Sequence, residues 1–97
     1  LPPRVYISFD IDGLDPSLCP HTGTPVPGGL SFQQACFLLW HVMRSGKKII
    51  GFDLCEVAPA SNDQTSWASD WDANVGARIL YHICSLTTTS LFGNYPD

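Results

Sequence analysis

Four acidic side chains stand where apolar runs give way to polar sequence: Asp10 and Asp12 after Val5–Phe9, and Asp53 and Glu56 within Ile49–Val57. The chain has eight Asp and one Glu, so this grouping is not the by-product of a generally acidic sequence. Asp10 and Asp12 are two residues apart, and in extended backbone alternate side chains share a side. Two ionised carboxylates held so close repel, and burial beside a strand raises the cost. A divalent cation removes that cost, and hard oxygen donors suit Mg²⁺ or Mn²⁺ better than Zn²⁺. A strand-end Asp before Gly also commonly caps a turn. Gly13, Asp15, Pro16 and the glycine-rich stretch after them favour the metal reading over the cap.

Val5 to Phe9 is a β-branched and aromatic run and predicts a buried strand. Residues 13–30 hold four Gly and four Pro, which predicts an irregular loop of a length that is usually functional. Ser31 is a predicted N-cap. Phe32, Ala35, Cys36, Leu39, Trp40 and Met43 follow at helical spacing, and Gly46 closes the helix at C′. Ile49 to Val57, stopped by Pro59, predicts a second strand whose near-continuous apolarity suggests burial on both faces. Residues 60–70 read as a polar loop and contact surface. Asp70 or Asp72 is expected to cap a last helix through Val75, Ile79, Leu80, Ile83 and Leu86. Residues 87–97 are expected to form a flexible or partner-contacting tail.

The order strand, loop, helix, strand, loop, helix is α/β, with a right-handed crossover and a parallel sheet. Ligands of such sheets bind outside the carboxyl ends of the strands, where the four acids lie. Two strands alone make a poor sheet, and Leu1 stands where an initiator Met would be. The expectation is that residues 1–97 are one segment of a larger α/β domain. A 44% hydrophobic content suits a globular chain, and a net charge of −4 argues against nucleic acid and anionic membrane surfaces. No apolar run is long enough to span a bilayer, and no signal-peptide pattern opens the sequence. Cys19, Cys36, Cys55 and Cys84 form no C-x-x-C pair and read as reduced thiols of a cytoplasmic protein. Cys36 and Cys84 are expected on apolar helix faces.

Ser8–Phe9–Asp10–Ile11–Asp12–Gly13–Leu14–Asp15–Pro16, then Pro20, Thr22–Gly23–Thr24–Pro25 and Gly28–Gly29–Leu30, resembles the C-terminal metal motif of the ureohydrolases. That superfamily includes arginase, agmatinase, guanidinobutyrase and formimidoylglutamase. Asp53–Leu54–Cys55–Glu56–Val57–Ala58–Pro59 is similar to the family's next strand-end segment, and Trp71–Asp72–Ala73–Asn74 adds weaker support. The resemblance implies part of a three-layer arginase-like fold, two Mn²⁺ ions, Asp10 bridging them and Asp12 ligating one. It further implies that Glu56 pairs with the cationic guanidino or formimino group of a small substrate; Thr24 is read as a substrate-side residue. Paired divalent ions make water nucleophilic at neutral pH, and a carboxylate facing a guanidinium fixes the electrophile. The implied reaction is hydrolysis of a guanidino or formimino C–N bond, releasing urea or formamide, in a homo-oligomer, trimer or hexamer.

The family completes its metal site with histidine-bearing motifs that these residues do not contain, so the segment alone is expected to be inactive. His41 and His82 read as helix-surface or core-edge residues, and His21 as a loop residue near the site. Two alternatives remain. Phe9–Asp10–Ile11–Asp12–Gly13 also resembles the first motif of haloacid-dehalogenase-type phosphatases, although Leu14, Asp15 and Pro16 depart from it. The other is a truncated, non-catalytic interaction segment.

Overall fold

In a computed structural model, residues 1–59 and 70–93 are described. Strand β1 runs Arg4–Asp10 and helix α1 Phe32–Arg44; strand β2 then runs Lys48–Cys55 and helix α2 Trp71–Phe92. The two strands pair in parallel, so the expected β-α-β-α order and sheet type are both found.

Burial departs from expectation. Along β1, Val5, Ile7 and Phe9 turn towards the helices while Tyr6, Ser8 and Asp10 turn away, an alternation of period two. Leu39 and Met43 of α1, Ile49 of β2, and Ile79, Ile83 and Leu86 of α2 close the core over that one face. The opposite face carries Tyr6 and Ile50 at 59% and 58% exposure. Among the described residues the helices cover one side of the sheet, and the other face stands open.

The pairing shifts between Val5 and Tyr6: Val5 pairs with Ile49, but Tyr6 pairs with Gly51. This bulge at Ile50 has a large effect. An unshifted pairing would oppose Asp53 to Phe9 on the helix side. The shift sets Asp53 opposite Ser8 and Cys55 opposite Asp10 on the open side.

Helix α1 begins as predicted. Ser31 accepts from the Gln34 amide at 3.0 Å, and the Gln34 side chain accepts from the Ser31 amide at 2.9 Å, a full capping box. Gly46, at φ 87°, takes the left-handed position after the helix. The glycine-rich loop is more ordered than its composition suggested. Two 3-10 turns, Ile11–Gly13 and Pro16–Leu18, open it, and a bridge between Leu14 and Leu30 closes it. Beneath it Ile11, Leu14, Cys19, Ala35 and Val75 form a second buried cluster.

Helix α2 continues through Thr87 to Phe92, so that part of the expected tail is helical; residues 94–97 and the 60–69 loop lie outside the described residues. Asp70 is the N-cap residue without a side-chain cap bond, and Asp72 is buried rather than capping. All four cysteines are free; Cys36 is half-buried and Cys84 is exposed, contrary to its expected apolar setting. His41 stacks on Phe37, and the half-buried His82 lies 3.4 Å from the Cys36 carbonyl, matching their reading as surface and core-edge residues. No helix among the described residues is long and apolar enough to cross a membrane.

Candidate functional site

The carboxyl ends of both strands meet at one edge, because parallel pairing brings Asp10 beside Cys55 and so next to Glu56. On the open face the Asp10 carboxylate, the Asp53 carboxylate and the Cys55 thiol offer ligand atoms within 4.8 Å of one another. Asp53 is the hub. It accepts from Ser8 Oγ at 3.0 Å and Cys55 Sγ at 3.4 Å, and from the Tyr6 hydroxyl. The Ser8 hydroxyl, foremost among these donors, holds the Asp53 carboxyl below the usual carboxylate range. The same contacts keep the Cys55 thiol and the Tyr6 phenol protonated to higher pH than usual.

Asp12 does not follow the strand. Extended backbone ends at Asp10 and the chain enters the 3-10 turn at Ile11, so the alternation expected to align Asp10 with Asp12 stops one residue too early. The Asp12 carboxylate instead accepts from Thr24 Oγ1 at 2.5 Å. Thr24, read as a substrate-side residue, is thus hydrogen-bonded to Asp12, the acid read as a metal ligand. Ile11, between the two acids, is fully buried and anchors the turn.

Glu56 follows β2 directly and has φ 71°, a left-handed conformation that a residue with a Cβ rarely adopts. Its carboxylate is exposed, and its own carbonyl accepts from Thr22 Oγ1 at 3.1 Å. Left-handed backbone outside glycine collects at functional sites.

A further pair had no sequence signal beyond the presence of His21. His21 Nδ1 lies 2.9 Å from Asp72 Oδ1, and the His21 amide donates to Asp72 Oδ2 at 3.1 Å. Asp72 is fully buried at the start of α2. The partners are 51 residues apart, so no local pattern could announce them. In the loop's first half, Ser17 donates to Asp15 from its amide and its hydroxyl, the hydroxyl more strongly, which lowers the Asp15 pKa. An open groove between α1 and α2, lined by Phe32, Cys36, Arg78, Tyr81 and His82, lies on the helical side, remote from the acids.

The donor set suits a hard divalent cation. Among the described residues no hydrogen bond reaches the Asp10 carboxylate, which stands beside the anionic Asp53. A cation there would relieve that repulsion. Cys55 is the one soft donor, and its raised pKa disfavours the thiolate that would ligate. Acids at the carboxyl edge of a parallel sheet mark an α/β protein with a candidate site at its strand ends, where such sheets bind their ligands.

The chain matches the Arginase family over residues 2–85. It is 42% identical over 83 residues to the N(1)-aminopropylagmatine ureohydrolase of Thermus thermophilus, covering 86% of this chain and 26% of that protein. It is 45% identical over 76 residues to the agmatinase of Chromobacterium violaceum, covering 78% of this chain and 23% of that one. Among solved structures, the agmatine ureohydrolase of Thermoplasma volcanium superposes with a TM-score of 0.66 at 30% identity, over 88% of this chain and 26% of that one. The arginase of Bacillus subtilis does so at 0.65 and 26% identity, over 84% and 26%. This chain belongs to the arginase family, and its β-α-β-α unit is part of the arginase-like fold. It spans about a quarter of the length of the curated relatives it matches.

Proposed function

We propose that the chain is the strand-end portion of a manganese-dependent ureohydrolase, contributing carboxylates on both sides of the scissile C–N bond. The observation that carries this reading is that parallel pairing brings Asp10, at the end of β1, beside Cys55 and so next to Glu56 after β2, with Asp12 in the turn that follows Asp10. Asp10 and Asp12 would hold the Mn²⁺ pair. When bound, that pair supplies the Lewis acidity that makes water nucleophilic at neutral pH. Glu56, the only Glu in the chain, presents its carboxylate to the guanidinium or formiminium head of the substrate. A charge-assisted, bidentate contact of that kind orients the planar carbon for attack. Thr24 holds Asp12 through its hydroxyl, and Asp53 ties Ser8 and Tyr6 of β1 to β2 behind Asp10. A small cationic substrate, a cytoplasmic location supported by four free thiols, and a trimeric or hexameric assembly belong to the same proposal.

The test is a panel assay of the full-length, Mn²⁺-loaded protein on agmatine, arginine, guanidinobutyrate and formimidoylglutamate. Release of urea or formamide from one of them is expected. Phosphate release from a phosphomonoester, with none of the four hydrolysed, would instead establish the phosphatase reading of Asp10 and Asp12.

A further inference from the structure

Within the span of residues 21–24, three side chains reach three separate parts of the molecule. His21 binds both oxygens of Asp72 on α2, through its amide at 3.1 Å and its ring Nδ1 at 2.9 Å. Thr22 Oγ1 donates to the Glu56 carbonyl after β2, and Thr24 Oγ1 donates to Asp12 after β1. The loop thus ties the metal-side acid to the substrate-side acid, and its third tie goes to a helix that carries neither.

That third tie ends on a buried acid. Asp72 is fully buried, and a buried carboxylate left without donors is strongly disfavoured. Its two oxygens hold the His21 ring at Nδ1 and the residue 21 amide together, a two-point contact that keeps that stretch of main chain in place. Thr22, one peptide further along, is itself 6% exposed and has little room to adjust. Its bond reaches the main chain of Glu56 where φ is 71°, and such backbone persists only when its surroundings over-determine it.

We infer that the His21–Asp72 pair is a positioning clasp that, through Thr22 and Thr24, sets the placement of Glu56 relative to Asp12. The inference builds on the ureohydrolase reading for its consequence in catalysis, while the clasp itself rests on the contacts alone. The clasp requires no contact of His21 with metal or substrate.

The experiment compares His21→Ala, His21→Asn and Met43→Ala in the full-length protein. Asn can place an amide N–H near the position of Nδ1. Met43 lies in the core of α1, and its truncation lowers overall stability without touching the loop. Amide hydrogen exchange, Mn²⁺ affinity by calorimetry, and KM and kcat on the responsive substrate are measured for each. In His21→Ala, exchange at residues 21–24 and at Glu56 should rise about tenfold or more, the factor expected for losing a charge-assisted bond. Mn²⁺ affinity should fall and KM should rise more than kcat falls, because Glu56 and Asp12 lose their common reference. His21→Asn should recover most of these effects. Met43→Ala should lower the melting temperature while KM stays within about twofold, as expected for a change that reaches the loop only through global unfolding. Unchanged exchange at residues 21–24 in His21→Ala would overturn the clasp, as would failure of His21→Asn to recover it or its reproduction by Met43→Ala. If the wild-type protein hydrolyses none of the four substrates, the functional reading fails, and exchange and Mn²⁺ affinity still decide the clasp.

Discussion

Glu56 holds a left-handed backbone, φ 71°, at the position where a carboxylate would meet a cationic substrate. For a residue with a Cβ, that conformation costs roughly 1–2 kcal/mol. Glu56→Gly should therefore raise the melting temperature of the full-length protein while removing the substrate contact. Glu56→Gln keeps the strain and the shape but loses the charge. Both should lower kcat/KM on a guanidino substrate by about tenfold to a hundredfold, the range for a lost hydrogen bond to a charged group. A melting temperature that falls in Glu56→Gly would show that the conformation carries no strain. The acids themselves were legible in the sequence, since Asp10, Asp12 and Glu56 stand at strand ends by type and spacing. The strain at Glu56 was not, because Glu gives no local sign of positive φ where Gly or Asn would. Nor was the His21–Asp72 pair, which depends on tertiary packing.

At the scale of elements, the loop after β1 relies on close backbone approach. The Leu30 amide donates to the Gly13 carbonyl at 3.0 Å, and the Asp15 amide donates to the Leu30 carbonyl at 2.7 Å. A Cβ on Gly29 would lie 2.4 Å from the Leu14 carbonyl oxygen and 2.8 Å from the Asp15 nitrogen, both main-chain atoms that cannot turn aside. Gly29→Ala should destabilise the protein by about 1–3 kcal/mol, as overpacking typically does, seen as a lower denaturation midpoint. It should also weaken Mn²⁺ binding, because the pinned strand of loop leads from Asp12. Wild-type stability in that variant would mean that the two segments part easily. Helix α1 was legible almost to the residue, since Ser31, the helical spacing from Phe32 to Met43 and Gly46 are local signals. Val5–Phe9 was legible as a buried strand, but its two faces, Val5, Ile7 and Phe9 against Tyr6, Ser8 and Asp10, were not separated until the helices were seen to pack on one of them. The 3-10 turn at Ile11 and the pairing shift at Ile50 left no such trace, because each answers to packing between elements.

For the whole molecule, the described residues form a sheet with helices on one side and the candidate site at its carboxyl edge and open face. Mn²⁺ favours about six oxygen-rich ligands per ion. Asp10, Asp12 and Asp53 cannot complete two such spheres, and Cys55 is a poor addition. The 97-residue chain by itself should therefore bind Mn²⁺ weakly and release no urea, whereas the proposed full-length ureohydrolase is expected to bind two ions per site. Tight binding of two Mn²⁺ by the short chain in calorimetry would refute this.

The extra residue at Ile50 divides β2 into two stretches that are out of phase with each other. The first, Lys48–Ile49, pairs with Arg4–Val5 and is bonded to Ser90 of α2; the second, Gly51–Cys55, pairs with Tyr6–Asp10 and carries the acids. A single-residue insertion or deletion between α1 and the second stretch can be absorbed at that seam without turning Asp53 into the apolar layer. A one-residue change in the α1–β2 connection should therefore leave Asp53 and Cys55 on the open side of the sheet, because the bulge can take up the offset before they are reached.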